Sequence, residues 1–186
     1  AYQYHMGQYL PDWHPWEDYR QVYFSKKETG ACREMFPFEL IWLNWLMDSE
    51  VENVSGFVDK VSDLDMDAED VLMASLKYKN RILGNVLIDV IARAPFRTLR
   101  ILGSDGVLHW ERFNNEIKIY SAQTKTWESV AVPPGRPEPG YINEEEMYND
   151  EIKAWLDAIR GKTQYPYTFE ESRKNLETLY KLLSMR

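Results

Sequence analysis

Between residues 51 and 120 the chain is a succession of short, β-branched-rich runs: Val51 to Asp59, Val71 to Tyr78, Leu83 to Ala92, Arg97 to Leu102, Val107 to Glu111 and Glu116 to Tyr120. Lys79-Asn80-Arg81, Ala94-Pro95 and Gly103-Ser104-Asp105-Gly106 punctuate them. A parallel pair needs a crossover of a dozen or more residues, usually helical, and most of these gaps are far shorter. The middle of the chain is therefore expected to form antiparallel hairpins in a meander, not a doubly wound sheet.

Helical and strand patterns flank this block. Tyr2, Tyr4 and Met6 alternate with Gln3 and His5, the period of a strand with one buried face, and Pro11 and Pro15 end any ladder. Asp12 to Arg20 then reads as an aromatic loop or short helical turn. Residues Arg33 to Met47 read as an apolar helix covered on most of its circumference, and Pro37 is tolerable if the helix begins near Arg33 or Glu34. Two closing helices announce their starts with Asn143 and Glu146, and with Thr168 and Glu171. Tyr148, Ile152, Trp155, Leu156 and Ile159 make one stripe and Leu176, Leu179, Tyr180 and Leu183 another, both read as core. Val130 to Gly140 holds four prolines and two glycines and reads as an extended surface connector.

Length and charge bound the function. A chain of 186 residues is one domain, 1–186, with enough apolar residues for a core, and it contains no run long enough to span a membrane. Its 22 basic against 30 acidic side chains give a net charge of −8, which opposes a phosphate backbone; we expect no nucleic-acid and no membrane partner. Cys32 is the single cysteine, so a disulfide within the chain is impossible, a buried thiol is expected, and a reducing, cytoplasmic setting is the default. The chain begins at Ala1 without a Met, and we expect a fragment of a longer protein.

Several chemistries fail at their own spacing. Asp63, Asp65, Asp67, Glu69 and Asp70 suggest a calcium loop, but Ala68 stands at the required glycine and Ala74 at the closing carboxylate, which leaves a solvated acidic turn. His5, His14 and His109 have no metal-ligand spacing, so no metal site is expected. Neither G-x-S-x-G, nor G-x-G-x-x-G, nor a phosphate-binding G-x-x-x-x-G-K-[ST] is present.

Two features survive. In the segment from Asp12 to Arg20, Trp13, His14, Trp16, Tyr19 and Arg20 combine flat aromatic faces with polar groups, the mixture that stacks and hydrogen-bonds a sugar ring; the alternative is that the tryptophans seal the edge of the core. In the helix, Glu34, Phe38, Ile41 and Trp45 share one face, and a carboxylate above an apolar stripe has its pKa raised, so Glu34 is a candidate acid or base. The alternative for Glu34 is helix N-terminal stabilisation or pairing with an arginine.

In order, the chain reads LPDWHPWEDYR, TGACREMFPFELIWLNWLMD, AEDVLMASLKYKNRILGNVLIDV, FRTLRILGSDGVLHW and TFEESRKNLETLYKLL. This ordered set resembles the C-terminal domain of the glucose-fructose oxidoreductase, inositol dehydrogenase and rhizopine catabolism (Gfo/Idh/MocA) family of nicotinamide-dependent oxidoreductases. The resemblance implies an α+β fold like the C-terminal domain of dihydrodipicolinate reductase: an open, mostly antiparallel sheet of six or more strands, with helices on one face and a partner subunit on the other. It also implies an upstream Rossmann domain holding NAD or NADP, and so no cofactor on this chain alone.

The family's catalytic helix reads G-G-x-x-x-D-x-x-x-H-x-x-D. Gly30 and Ala31 match the small pair and Glu34 the first acid, while Phe38 stands at the histidine and Ile41 at the second acid. Phe38 cannot shuttle a proton; His14, Tyr19 or Glu39 are possible substitutes. With the resemblance, catalytic Glu34 and substrate-binding Trp13, His14, Trp16, Tyr19, Arg20, Arg33 and Phe38 are the expected site. Three functions follow as expectations: the substrate-binding and oligomerising domain of an oxidoreductase acting on a sugar, nucleotide-sugar or polyol; a carbohydrate-binding module without catalysis; or a dimerisation domain that uses the open sheet face.

Overall fold

A computed structural model describes residues 1–133, 135 and 146–185. Strand β1 (Tyr2–Tyr9) leads through a short helix α1 (Leu10–Trp13) and an irregular segment into the long helix α2 (Cys32–Met47). Strands β2 (Val51–Asp59), β3 (Val71–Tyr78), β4 (Leu83–Asp89), β5 (Ile91–Leu102), β6 (Gly106–Glu111), β7 (Glu116–Ser121) and β8 (Thr126–Ala131) follow, and helices α3 (Glu146–Ile159) and α4 (Phe169–Leu183) close the chain. The fold is α+β, with one open eight-stranded sheet in the order β2-β3-β4-β1-β5-β6-β7-β8.

Every neighbouring pair is antiparallel except β1 and β4, where Tyr4 lies opposite Val86 in parallel register. The expected meander is therefore interrupted at its centre. β1 inserts between β4 and β5, and α2 lies in the connection that leaves it. Tyr2 and Tyr4 turn toward the helices and are fully buried, as their alternation predicts.

The turn expected at Ala94-Pro95 lies earlier. Asp89 accepts hydrogen bonds from the amides of Ile91 and Ala92 at 3.1 and 2.9 Å, which reverses the chain there. β5 then runs through Pro95 where its register with β1 slips between Gly7 and Tyr9, at an irregularity that needs no amide from the proline. β8 is an addition to the expected strands: its six residues are all exposed, so no alternation of burial betrays it. It takes up Val130 and Ala131, the start of the expected proline-rich connector; Pro134 and residues 136–140 of that connector lie outside the described residues.

The core lies between α2 and the β2-to-β1 half of the sheet. Phe36, Leu40 and Leu43 of α2 meet Leu72, Leu76, Val86 and Ile88, all fully buried. Each such side chain contributes roughly 1.5–3 kcal/mol relative to exposure. Cys32 is part of this layer, its Sγ donating to the Ile88 carbonyl, and burial pushes the thiol up.

α2 starts at Cys32, earlier than the sequence indicates, so Pro37 sits beyond the first turn and removes an amide that would otherwise reach the Arg33 carbonyl. The expectation of a helix covered nearly all round is also corrected: Phe38 is 60% and Trp45 79% exposed.

The closing helices differ. Thr168 and Glu171 form the expected capping box at the start of α4, which packs on α2 and β2. Its stripe is only partly core, with Leu179 buried but Leu176 and Tyr180 exposed. The stripe of α3 is not core: Tyr148, Ile152, Trp155 and Ile159 are all more than half exposed. Asn143, its expected cap, lies outside the described residues.

Candidate functional site

The start of α2 is fixed by tight backbone packing. A Cβ on Gly30 would stand 2.0 Å from the Phe24 carbonyl oxygen, so only glycine lets the segment from Tyr23 to Gly30 fold back on itself. Ala31 follows at φ 47°, a backbone region that favours glycine. Thr29 Oγ1 donates to the Tyr23 carbonyl at 2.9 Å and closes the same loop. Tyr23 is thereby brought against Glu34, and its hydroxyl donates to Oε1 at 3.2 Å.

Glu34 does not crown a buried stripe, as its spacing suggests; it is exposed at the helix start beside exposed Phe38. Partial burial nevertheless raises its pKa, opposed by the hydrogen bond from Tyr23. Burial, followed by the charge of Glu34, pushes the Tyr23 phenol up to about 12.

The aromatic segment continues directly from this pair. Tyr23 meets Phe24 at 4.7 Å between ring centroids, Phe24 meets Trp13 at 4.3 Å, and Trp13 meets His14 at 5.4 Å. His14 in turn stacks on Trp16 at 5.1 Å, with rings 19° from parallel. An unbroken aromatic wall thus runs from Glu34 to Trp16. Trp13 is half-buried against the core, as the sealing alternative has it, whereas Trp16 is 62% exposed.

Other predicted site residues have structural partners. Arg33 grips Glu69 with two bonds of 2.7 Å. Arg20 grips Asp18 at 2.8 and 2.7 Å and holds that carboxyl below its usual range. Tyr19 packs against the core while its Oη accepts from the Asp65 amide, and His14 Nδ1 lies 2.6 Å from Glu17.

The acidic run is built into this frame. Asp70 accepts from the amides of Val61 and Ser62 and from Ser62 Oγ, and Asp67 from the amide of Lys27. Among the described residues no cluster of three His, Cys, Asp or Glu side chains could hold a metal.

A second set of groups, absent from the expected site although Glu39 is a possible substitute for the histidine, lies on the next side of α2. Glu39 is 1% exposed and accepts from Tyr4 Oη and Trp42 Nε1, both at 2.6 Å, and from Arg97 Nη2 at 3.0 Å. Burial and then the charge of Glu39 raise the Tyr4 phenol strongly. Trp42 stands 6.3 Å from Trp110 of β6, and both are half-buried. Glu34, Phe38 and Trp42 follow one another at four-residue spacing, so this shelf continues along α2 from Glu34. No local pattern marks Arg97: it is one of three arginines in β5, with Arg93 and Arg100, and becomes significant only when the sheet places it against α2.

Two hollows lie elsewhere. A groove of about 850 Å³ opens between the end of α2, α4 and β2, lined by Trp45, Tyr167 and Lys174. A trough of about 740 Å³ lies on the face of the sheet opposite α2, over Gln3, Ser75, Asn85 and Arg100. No helix among the described residues is long and apolar enough to cross a membrane.

The fold matches solved oxidoreductases. A UDP-N-acetylglucosamine 3-dehydrogenase from Acidithiobacillus ferrooxidans aligns with a TM-score of 0.71 at 16% identity, over 98% of this chain and 52% of that one. An oxidoreductase domain protein from Kribbella flavida aligns with a TM-score of 0.75 at 14% identity, over 98% and 56%. An oxidoreductase from Agrobacterium radiobacter, solved with NAD+, L-tartaric acid and magnesium, aligns with a TM-score of 0.76 at 10% identity, over 98% and 53%. The chain thus spans about half the length of the structures it matches. Among curated proteins none matches the sequence. The family model for the GFO/IDH/MocA C-terminal domain matches residues 1–109, and the chain belongs to that family of oxidoreductase C-terminal domains.

Proposed function

We propose that this domain is the substrate-binding half of a nicotinamide-dependent oxidoreductase that acts on a sugar, nucleotide-sugar or polyol. The observation that carries the reading is the Tyr23–Glu34 hydrogen bond at one end of a continuous aromatic wall. Aromatic faces such as Trp16 stack on the apolar side of a sugar ring, while Glu34 and Tyr23 reach its hydroxyls. A substrate hydroxyl that gives its proton to Tyr23 while Tyr23 gives its own to Glu34 has a route to the carboxylate without a histidine. That relay answers the loss of the expected histidine and second acid at Phe38 and Ile41.

A dinucleotide does not fit this chain's own residues. No glycines stand in dinucleotide spacing, and β1, the strand paired in parallel with β4, leads into Leu10 and Pro11 and not into a glycine-rich turn. A separate domain would have to supply NAD or NADP, and no step is derived through it.

The test is a tryptophan-fluorescence titration of the protein with myo-inositol, methyl glucoside and UDP-N-acetylglucosamine. Quenching by at least one, weakened by Trp16→Ala, is expected. A flat response to all three at millimolar concentration sinks the reading.

A second role rests on a different surface. Phe57, Met73, Leu83 and Leu102 are exposed on the face of the sheet opposite α2, and the role is association of two copies there. Sedimentation of a monomer at high concentration would remove it; a dimer dissociated by Phe57→Glu with Met73→Glu would support it.

A further inference from the structure

We infer that the shelf beside α2 selects an uncharged, hydroxyl-bearing ring over a phosphorylated or carboxylated one, and that Arg97 is its specificity-determining residue. The inference rests on the sugar reading above and narrows its substrate class.

An arginine usually signals an anion, because its guanidinium offers two-pronged edges that match carboxylate or phosphate. Both of those edges include Nη2. In Arg97 this nitrogen is already spent, since it donates to Glu39 Oε1 at 3.0 Å and contacts Met6 Sδ at 3.0 Å. What remains are the Nε and Nη1 protons, which point along different edges and make single hydrogen bonds. Single donors suit hydroxyl or carbonyl oxygens.

Glu39 is fully buried and balances the Arg97 charge within the protein, so Arg97 itself offers an approaching anion little net charge, and the other cation that acts on this network through Tyr4 is Arg112. The same carboxylate fixes the indole of Trp42, which faces Trp110 and with it forms the aromatic part of the shelf. Glu39 is thus a positioning residue for both the stacking surface and the donor.

The experiment compares calorimetric binding of methyl glucoside and glucose phosphate, a pair that differs in a phosphate, to the protein and to Glu39→Gln. The unmutated protein is expected to bind the neutral sugar at least as tightly as the phosphate. Glu39→Gln releases Nη2 and leaves the Arg97 charge unbalanced, and the preference should move toward the phosphate by about tenfold. A merely structural role for Glu39 would weaken both ligands equally, and that result overturns the inference.

If Glu39→Gln does not fold, the double variant Glu39→Gln/Arg97→Met removes the pair together. It should lose about tenfold in binding of the neutral sugar; undiminished binding overturns the inference. Tighter binding of glucose phosphate than methyl glucoside by the unmutated protein overturns the inference and leaves the sugar reading standing. Binding of neither sugar overturns this inference; the sugar reading falls with it only if myo-inositol and UDP-N-acetylglucosamine also fail to bind.

Discussion

Tyr23 Oη lies 3.2 Å from Glu34 Oε1, joining the irregular segment before α2 to the first turn of that helix. The hydrogen bond lowers a carboxyl pKa that partial burial raises. Tyr23→Phe should therefore move the Glu34 titration further upward, readable by carboxyl-carbon NMR. A carboxyl whose folded pKa exceeds its unfolded one holds extra protons when folded, so its contribution to stability declines as pH rises through the folded value. That decline should steepen in Tyr23→Phe, and an unchanged or lowered Glu34 pKa would show that the hydrogen bond does not persist in solution.

Ala31 sits at φ 47° directly before α2, where a Cβ is strained. Ala31→Gly relieves that strain but forfeits a buried methyl worth about 0.8 kcal/mol. We expect net stabilisation of less than about 1 kcal/mol in urea unfolding, since residues in such regions cost about 1–3 kcal/mol and glycine gives back about 0.4–1 kcal/mol through the more flexible unfolded chain. Destabilisation would mean that the buried methyl outweighs the strain.

The Glu39 network predicts a gradient of costs. Tyr4→Phe removes one of three donors and should cost about 1–2 kcal/mol. Arg97→Ala leaves a buried carboxylate without its counter-charge and should cost about 3–5 kcal/mol. Equal losses in chemical denaturation would contradict the unequal roles of the two donors.

Glu50 bridges Lys174 and Lys79, each at 2.5 Å, and Lys174 first and Lys79 second hold its carboxyl down at about 2. A depressed carboxyl contributes stability that is complete above the ordinary value of 4.5 and is lost as pH falls toward 2. The pair is exposed, so Glu50→Gln should cost less than about 1 kcal/mol at neutral pH. Molar salt should erase most of that difference in melting temperature; a salt-independent loss would point to packing instead of charge.

The sequence made the local elements legible where the signal is itself local. Val51–Asp59 and Val71–Tyr78 are strands at the bounds their β-branched runs mark, and the Thr168–Glu171 box starts α4 because each partner satisfies the other's backbone amide within one turn. The aromatic segment was also legible as a candidate, through Trp13, His14 and Trp16. Its meeting with Glu34 was not, because Tyr23 and Phe24 complete the wall only after Gly30 folds the loop back.

Apolar period was the less faithful guide. It marks a face that avoids water without saying what covers it, and so it reads the same in α4, which packs on α2 and β2, as in α3, whose stripe is exposed. By itself the sequence determined most strands of the hairpin block though not where β4 ends and β5 begins, the helix of α2, the cap of α4 and the family resemblance, since these depend on neighbours a few residues apart. Only the tertiary structure decided that β1 lies between β4 and β5 and that Glu39 is buried beneath Arg97. Those outcomes depend on which distant backbone edges pair and which charges lose their water together, and no spacing along the chain encodes them.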